Sequence, residues 1–403
     1  MQIFEKLLEK EVQAFIESHL YEDPTSLLLK KSPFPDLSMP DLVEQIQAKR
    51  KAQSKVPSWQ AVSGLLFPPL LSLEQSSSEE TARFKAKLMK GNHLADLTGG
   101  WGIDTAFLAD SFATVEYVEQ NKTLAAIAAH NFRLLGKCHI RVHIADGKEW
   151  LQHFSSKVDV IYIDPARRGQ NGQKVFCLSD CEPNVLNWLP LLAQKTQQVW
   201  IKTSPLLDIS AALADLQQAG NGWKVATTVV LAVNNECKEV LYHLQLTDSA
   251  LPTQIKAVHL TNGNAQTFVF SLAEEHAATA TYALPQAFFC EPNAALLKAG
   301  AFKILSQRLH MPKLHPHTHL YTTAERPEHF PGRVFRLKAI CKANKKAIWS
   351  HLPEPKANLA VRNFPASVAE LRKRWGIAEG GEIYLFAVTL ANQQKAVLIG
   401  EKD

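Results

Sequence analysis

Apolar positions follow two different spacings along the chain, and the spacing changes repeatedly between residues 91 and 248. Short runs of β-branched and aromatic residues alternate there with stretches in which apolar residues recur at helical spacing. The short runs predict strands at 93–97, 114–118, 139–144, 158–163, 198–203, 224–233 and 238–246. The helical stretches predict helices at 103–110, 121–135, 147–154, 183–194 and 208–219. Five consecutive strand–helix units predict a parallel, doubly wound α/β sheet.

The connection between the last two of these strands is short and lies within the segment AVNNECKE. A parallel pair needs a crossover of a dozen or more residues, so this connection permits only an antiparallel pair. We therefore predict a Rossmann-like, doubly wound sheet that closes with an antiparallel last strand.

Other patterns flank this sheet on both sides. Apolar residues at helical spacing predict helices at 1–20, 40–52 and 79–90, with a proline-broken apolar run before the third. Downstream, the pattern predicts a hairpin around 261–264, a helix at 294–308 and a final hairpin in EIYLFAVTLANQQKAVLIG. We predict a helical domain at 1–90, the α/β domain at 91–248, a connecting segment at 249–328 and a small α+β domain at 329–403.

The composition excludes a mostly disordered chain, because 46% of the 403 residues are hydrophobic and only 21% are charged. The length predicts two or three domains. The net charge of +5 is unevenly placed: residues 329–403 contain 13 Lys and Arg but only 6 Asp and Glu. A basic segment after a near-neutral body indicates a module that binds a polyanion.

The cysteines and the chain terminus indicate a cytoplasmic protein. The six cysteines include no CxxC pair, which favours buried, reduced thiols over a disulfide framework or a zinc ribbon. Acidic residues interrupt the amino-terminal apolar positions, so we expect no signal peptide, and no stretch is long and apolar enough to span a membrane. His315, His317 and His319 alternate, but no fourth ligand lies nearby in the sequence, so we expect no metal site.

The segment HLADLTGGWGIDTAFLA, residues 93–109, contains the most informative motif. A strand ends at Asp96, a turn contains Gly99, Gly100 and Gly102, and a helix follows. Glycines let a backbone approach a ligand closely, and a helix amino terminus offers free N–H groups. A dinucleotide fingerprint would place a glycine where Thr105 stands, and Asp96 would repel a pyrophosphate. The turn therefore suits a ligand with a cationic amine, which Trp101 could cover.

Acidic residues also end the next three predicted strands. Glu119 follows the second strand, Asp146 the third and Asp164 the fourth. An acid at the second strand end can bind two ribose hydroxyls, and one at the third can accept from an amino group of adenine. Asp146 also suits a helix N-cap, and Asp164-Pro165 suits a β-turn. Acids at successive strand ends on one edge of a sheet nevertheless favour a ligand site there.

The order of these motifs resembles that of class I S-adenosylmethionine (SAM)-dependent methyltransferases. DLTGGWG is similar to motif I, Glu119 to motif II, Asp146 to motif III and DPAR, residues 164–167, to motif IV. The flanking segments LLFPPLLSLEQ, SSSEETARFKA and NFPASVAELRKRWGI resemble a group of bacterial methyltransferases with a ferredoxin-like segment and a C-terminal THUMP-like domain. The ferredoxin-like segment would fall in residues 249–328 and the THUMP-like domain in 329–403.

The resemblance implies SAM as the cofactor and structured RNA, either tRNA or rRNA, as the partner and substrate. The implied cofactor-binding residues are Asp96, Thr98, Gly99, Gly100, Gly102, Glu119 and Asp146. The implied catalytic residues are Asp164, Pro165 and Arg167. The implied substrate-binding residues are Arg168, Lys174, Arg333, Arg336, Lys345, Arg372 and Arg374. The basic residues among them would contact phosphates.

Two departures from better-known motifs limit the chemistry. Amino-directed enzymes usually carry an aromatic residue at the fourth position of motif IV, where this chain has Arg167. Pyrimidine-C5 enzymes need a cysteine nucleophile after the fifth strand, where this chain has Ser204-Pro205. We therefore expect methyl transfer to a base without pyrimidine-C5 chemistry. Lys202, in the same strand, is either a substrate contact or a strand-end lysine.

Two alternatives stay open at this point. The first is a non-catalytic RNA-binding protein that retains the methyltransferase fold as a scaffold, because the motif IV region lacks both an aromatic residue and a nucleophilic cysteine. The second is an NAD-dependent oxidoreductase. Asp96, Thr105 and the antiparallel last strand all argue against it.

Overall fold

The structure is a computed structural model that describes residues 2–167, 177–220, 222–248 and 252–403. The chain divides into two compact units. Unit 1 comprises Met1–Ala226 and Glu239–Ala250, and unit 2 comprises Thr227–Lys238 and Leu251–Asp403. The finer division predicted at residues 90, 248 and 328 stays a prediction.

The described residues of unit 1 begin with six helices. They are α1 (Gln2–Leu7), α2 (Lys10–Ser18), α3 (Pro24–Leu28), α4 (Met39–Lys55), α5 (Leu70–Gln75) and α6 (Glu79–Leu88), with a 3-10 helix at Pro57–Ala61. Ser38 and Asp41 form a reciprocal capping box that starts α4, and the Ser78 hydroxyl caps α6. These caps explain why the predicted helices at 40–52 and 79–90 begin where they do.

Strands and helices then alternate. The strands are β1 (His93–Asp96), β2 (Thr114–Glu119), β3 (Ile140–Ile144), β4 (Val160–Ile163), β5 (Ala166–Arg167), β6 (Cys181–Glu182), β7 (Gln198–Thr203), β8 (Trp223–Val233) and β9 (Glu236–Leu246). The helices are α7 (Ile103–Leu108), α8 (Lys122–Leu134), α9 (Gly147–His153), α10 (Leu189–Lys195) and α11 (Ile209–Ala219), with 3-10 helices at Ala109–Ser111, Leu178–Asp180 and Val185–Trp188.

The main sheet of unit 1 has the order β9-β7-β4-β1-β2-β3. All neighbouring pairs are parallel except β7 and β9, which are antiparallel. The predicted parallel, doubly wound sheet with an antiparallel last strand is therefore confirmed. Because β1 and β4 are neighbours while the chain continues from β1 into β2 on the other side, the strand order reverses beside β1, where α/β sheets bind ligands.

Two buried amides hold the proline-broken segment 65–69 against the helices of unit 1. The Asn131 side chain accepts from the Leu66 N–H at 3.0 Å and donates to the Leu66 carbonyl at 2.8 Å. The Gln45 side chain makes the same pair of bonds with Phe67, at 3.3 and 2.8 Å. Buried backbone groups that no helix or strand can satisfy are thus paired by side chains.

The structure corrects two predicted helices of unit 1. The single helix expected at 1–20 is divided into α1 and α2, because Glu9 adopts an extended conformation. The Gln13 side chain donates to the Leu7 carbonyl at 2.7 Å and so satisfies the end of α1. The helix expected at 183–194 is a 3-10 turn at Val185–Trp188 followed by α10. The helix α5, within the proline-broken run, was not predicted.

Unit 2 begins with a three-stranded group in which β10 (Gln254–Thr261) lies between β11 (Asn264–Ser271) and residues 227–233 of β8, the part of β8 that belongs to this unit. Strands β10 and β11 are antiparallel, and Thr261 pairs with Asn264 across the turn. Asn262 and Gly263 have φ values of 51° and 77°, as the tight turn between two twisted strands requires. The predicted hairpin around 261–264 is confirmed.

A seven-stranded sheet follows in the rest of unit 2. Its elements, in chain order, are α12 (Leu272–Ala277), β12 (Phe288–Pro292), α13 (Ala294–Ala299), α14 (Lys303–Leu309), β13 (Lys313–His315), β14 (Thr318–Thr323), β15 (Gly332–Cys341), α15 (Lys345–Trp349), β16 (Asn358–Arg362), α16 (Val368–Trp375), β17 (Ile383–Thr389) and β18 (Lys395–Lys402). The strand order is β13-β14-β12-β15-β18-β17-β16. The predicted final hairpin corresponds to β17 and β18, which pair antiparallel.

Apolar side chains cluster in two groups on this sheet. Phe289, Phe335 and Phe386 centre one cluster, and Leu371 and Trp375 of α16 belong to the other. The helix predicted at 294–308 is wrong as a single element. Gly300 has a φ of 77° and ends α13, and α14 starts three residues later.

Among the described residues, no helix is both long enough and apolar enough to cross a membrane.

Candidate functional site

The turn between β1 and α7 has a shape that only glycines permit. A Cβ on Gly99 would lie 2.2 Å from the Tyr117 ring, and a Cβ on Gly102 would lie 2.6 Å from Phe132. Gly102 also has a φ of 84°, which disfavours other residues. The Tyr117 hydroxyl donates to the Gly100 carbonyl at 2.5 Å. The turn is therefore packed rigidly against β2 and α8.

Asp96 lies beneath this turn and is only 1% exposed. The Thr98 N–H donates to one carboxylate oxygen at 3.0 Å, and the Thr105 hydroxyl donates to the other at 2.5 Å. Burial raises the pKa of Asp96, and the nearby carboxylates of Asp104 and Asp164 add to this; against the lowering effect of the two hydrogen bonds, the result is a pKa of about 7. The residue that seemed to break a dinucleotide fingerprint, Thr105, is thus a partner of Asp96.

Glu119 ends β2 and connects it to the glycine turn. Its Oε2 accepts from the Gly100 N–H at 2.8 Å, and its Oε1 accepts from the Asn121 N–H at 2.7 Å. A carboxylate has about four acceptor positions, so both oxygens can accept further hydrogen bonds. Glu119 is half-buried and therefore remains accessible from the edge of the sheet.

Asp146 follows β3 and caps α9. Its Oδ1 accepts from the N–H groups of Lys148 and Glu149, at 2.9 and 3.0 Å. The N-cap interpretation of this residue is confirmed. Within the described part of the chain its Oδ2 makes no hydrogen bond, and the side chain is exposed. Its predicted contact with adenine stays a prediction.

Asp164 follows β4 and is attached to the glycine turn through its backbone. Its N–H donates to the Thr98 hydroxyl at 2.6 Å. Its Oδ2 lies 2.5 Å from the Lys202 ammonium, and 34% of its side chain is exposed. Burial raises the pKa of Asp164, while Lys202 opposes this. Thr98 therefore links the first and fourth strand ends directly.

Pro165 and Arg167 are the other two residues of motif IV that were predicted to be catalytic. Pro165 is buried, and the backbone of Arg167 pairs with Cys181 in the two-stranded ladder of β5 and β6. Two predicted substrate-binding residues, Arg168 and Lys174, lie outside the described residues.

The structure also reveals a buried charged cluster that the sequence did not predict. Lys85 of α6, which is fully buried, donates to both carboxylate oxygens of Glu239 in β9 at 2.7 Å. Its ammonium also lies 3.1 Å from Asp104 Oδ1. The second oxygen of Asp104 lies 3.2 Å from the Lys202 ammonium. We call Lys85, Glu239, Asp104, Lys202 and Asp164 the buried ion cluster.

Two hydroxyls complete the buried ion cluster. Ser77 accepts from both lysines, at 2.9 and 3.0 Å, and donates to Asp104 at 2.9 Å. The Tyr162 hydroxyl donates to Asp104 at 2.7 Å. One signal could have indicated the cluster: Lys85 lies on the buried face of α6 with Thr81 and Ala82, where an unpaired charge would be costly.

Trp101 does not cover the edge of the sheet as expected. It is buried, and its ring lies 5.2 Å from that of Trp59 and 5.8 Å from that of Phe67. Its role is to pack the glycine turn against the amino-terminal part of unit 1.

The predicted RNA-contacting residues of unit 2 divide into two kinds. Arg333 binds the buried carboxylate of Glu291, Arg336 lies 4.0 Å from Asp403, and Arg372 donates to the Ala357 and Ile377 carbonyls. These three side chains have structural partners. Lys345, in contrast, lies 4.6 Å above the ring of Trp349, which is 40% exposed, and Arg374 is exposed on α16.

The alternating histidines lie in and beside β13 and β14. His315 contacts the side-chain amides of Asn363 and Gln393, both at 3.1 Å, and His319 stacks on Phe302. Burial, together with the charge of Lys313, lowers the pKa of His319 to about 4. Among the described residues, no group of three or more His, Cys, Asp or Glu side chains is arranged to hold a metal.

Comparison with known proteins places the chain in a family. A crystal structure of a methyltransferase candidate from Porphyromonas gingivalis W83 is 32% identical, covers 99% of this chain and 98% of its own, and superposes with a TM-score of 0.85. The chain belongs to that methyltransferase family. Residues 288–331 match a ferredoxin-like domain, and residues 332–402 match a THUMP-like domain. The family resemblance and the fold class predicted from the sequence are both confirmed.

Other solved structures match only part of this chain. A modification subunit of a candidate type I restriction enzyme from Vibrio vulnificus YJ016 is 13% identical over 52% of this chain and 56% of its own, with a TM-score of 0.36. TrmK of M. capricolum, bound to S-adenosyl-homocysteine, is 13% identical over 42% of this chain and 70% of its own, with a TM-score of 0.34. Neither supports an inference about this chain. No curated protein matches it.

Proposed function

We propose that the chain transfers a methyl group from SAM to a base of structured RNA, in tRNA or rRNA. One observation carries the proposal. Carboxylates end four adjacent parallel strands at one edge of the sheet, in the order Asp164, Asp96, Glu119 and Asp146 along β4, β1, β2 and β3. The rigid glycine turn lies among them.

The residues present fit this cofactor. At Gly100 a Cβ would have only the Thr98 carbonyl near it, at 3.9 Å, so a ligand can approach that backbone closely. Glu119 retains acceptor capacity for two ribose hydroxyls, and Asp146 Oδ2 for an adenine amino group. Asp96 contributes through its charge, because its oxygens are already bonded and its side chain is buried. A buried carboxylate favours a cationic ligand above it.

In the proposed reaction, the chain mainly aligns the reactants. SAM, when bound, supplies an electrophilic methyl group. The methyl–sulfur bond breaks as the bond to the base forms, and its electron pair stays on the sulfur. Asp164 orients the attacking atom and accepts its proton or hydrogen bond. Its Oδ1 makes no hydrogen bond within the described residues, whereas Oδ2 is held by Lys202. Pro165 fixes the exit of the chain beside it.

RNA is proposed as the substrate because of the charge of unit 2. The segment 329–403 carries 13 basic and 6 acidic residues. Lys345, Trp349 and Arg374 offer exposed cationic and aromatic groups, which suit phosphates and unstacked bases. Arg168 and Lys174 are proposed as further contacts from their places in the sequence alone.

The experiment is incubation of the full chain with methyl-labelled SAM and bulk tRNA and rRNA from cells that lack the protein. We expect label in one RNA class, and a matching loss in the nucleoside mass profile of those cells. Asp164→Asn should abolish labelling, while the matched variant Asp248→Asn, at an exposed site, should not. RNA binding without SAM binding would instead support the non-catalytic scaffold.

A further inference from the structure

We propose that Lys202 is a positioning residue that fixes the Asp164 carboxylate for its work, and that the rest of the buried ion cluster fixes Lys202. This inference rests on the proposed function. It also gives the amino-terminal part of unit 1 a role in the chemistry, because Ser77 of that part accepts from Lys202, and Lys85 of that part donates to the same Ser77 hydroxyl.

The Lys202 ammonium is held by hydrogen bonds on all sides. Its three N–H donors have three acceptors: Asp164 Oδ2 at 2.5 Å, Ser77 at 3.0 Å and Asp104 at 3.2 Å. A lysine in water can rotate freely, but an ammonium with all three donors engaged in a buried site has one position. Lys202 is 7% exposed, so water does not compete strongly for these bonds.

Asp164 is held at two points. Its backbone N–H is bonded to Thr98 and its Oδ2 to Lys202. These bonds set both the place of the residue and the rotation of its side chain. The direction of the other oxygen, Oδ1, is thereby fixed. This oxygen has no hydrogen-bond partner among the described residues, and one-third of the side chain is exposed. The carboxylate thus presents one fixed acceptor.

Neighbouring carboxylates keep Lys202 charged. Burial alone would lower its pKa, but the carboxylates of Asp104, Asp164 and Glu239 outweigh burial and raise it. Asp104 is itself buried, and the two lysines hold its pKa below the usual value. Lys85 balances Glu239 through two bonds at 2.7 Å. Each charge in the cluster therefore depends on its neighbours.

The charges that face Asp164 come from several elements. Lys202 of β7 and Lys85 of α6 favour its ionised form, whereas burial and Asp104 of α7 oppose it. Asp96, at the end of β1, also interacts unfavourably with it. Without Lys202, the closest cation would no longer lower the pKa of Asp164. Burial and the two neighbouring carboxylates would then raise this pKa further, so Asp164 would take up a proton at higher pH.

The test compares Lys202→Met with Lys87→Met, a control at an exposed lysine on α6. Isothermal titration measures SAM binding, and label transfer to RNA measures the rate across a pH series. We expect Lys202→Met to bind SAM within about threefold of wild type and to lose about 100-fold in rate at neutral pH. Its rate profile should shift upward by about one pH unit or more, so that alkaline pH restores part of the rate. Lys87→Met should match wild type.

Lys202→Arg serves as the second variant in case the methionine variant does not fold. It keeps the positive charge, so we expect a smaller loss of rate and an unshifted pH profile. A methionine variant whose rate and pH profile match the control would overturn the proposal. A loss confined to SAM affinity would also overturn it, because Lys202 would then shape the cofactor site only.

A crystal structure of Lys202→Met separates this proposal from the proposed function. If wild type binds SAM but labels no RNA, the proposed function fails. The position of Asp164 in the variant, compared with wild type, still shows whether Lys202 holds this carboxylate. We expect the Asp164 carboxylate to move or rotate by about 1 Å or more, a displacement large enough to impair alignment. An unchanged carboxylate would refute the positioning role.

Discussion

Asp96→Asn is the substitution whose effect the structure determines most closely. The asparagine has the same shape, so its oxygen can accept from the Thr98 N–H, and its NH₂ group can donate to the Thr105 hydroxyl. The packing of the glycine turn should therefore survive. What changes is the charge: the variant carries none at a site where wild type ionises with a pKa of about 7.

The sign and size of the effect follow from linkage. The pKa of Asp96 is about three units above that of an unfolded aspartate, so the folded protein holds a proton that the unfolded chain has lost. Stability must therefore fall as the pH rises from about 4 to about 7. At 1.36 kcal/mol per unit, the ionised Asp96 costs about 4 kcal/mol at pH 8, of which about 3 kcal/mol develops above pH 5.

The assay is urea unfolding followed by tryptophan fluorescence at several pH values. Six of the eight tryptophans lie in unit 1, so the signal reports mainly that unit. The stability of Asp96→Asn relative to wild type should rise by about 3 kcal/mol between pH 5 and pH 8. The exposed control, Asp248→Asn, should run parallel to wild type. Parallel curves for Asp96→Asn as well would show that this carboxylate is not strained by burial.

Three further substitutions have definite expected outcomes. Gly99→Ala places a Cβ 2.2 Å from the Tyr117 ring, so we expect the free energy of unfolding in urea to fall by about 1–3 kcal/mol and SAM binding to weaken. Unchanged values of both would contradict the packing described for the turn. Asn131→Ala leaves the buried Leu66 N–H and carbonyl without partners, so we expect the free energy of unfolding in the same assay to fall by about 2–4 kcal/mol. A fall of less than about 0.5 kcal/mol would mean that water replaces the amide. Glu291→Gln removes the charge that holds Arg333 and Arg362 in unit 2, so we expect the free energy of unfolding of that unit to fall by about 3 kcal/mol, which would be seen as faster amide exchange in β12. Exchange equal to that of the exposed control Glu328→Gln would refute this expectation.

The part of the fold that the sequence predicts well depends on local signals. A proline or an acidic residue lies at the carboxyl end of each strand of the unit 1 sheet or within two residues of it, and the short connection before β9 allows only one pairing direction. The hairpin at Asn262-Gly263 is likewise local, since the two residues accept the positive φ of the turn. Such signals also place Asp96, Glu119, Asp146 and Asp164 at one edge.

What the sequence does not predict depends on distant partners. Lys85 and Glu239 are 154 positions apart, and neither has a neighbour along the chain that suggests the other. Lys202 could be interpreted only as a substrate contact or a strand-end lysine, because its acceptors come from three separate segments. Similarly, the positive charge of residues 329–403 does not distinguish Arg333, which is bound to Glu291, from Arg374, which is exposed.

The central claim is that the edge formed by β4, β1, β2 and β3 binds SAM. Isothermal titration of SAM into the full chain tests it most directly, with Glu119→Gln as the site variant and Glu44→Gln, exposed on α4, as the control. We expect saturable one-to-one binding in the micromolar range, lost or weakened by at least about tenfold in Glu119→Gln and unchanged in Glu44→Gln. No saturable binding to wild type, or equal binding to both variants, would contradict it.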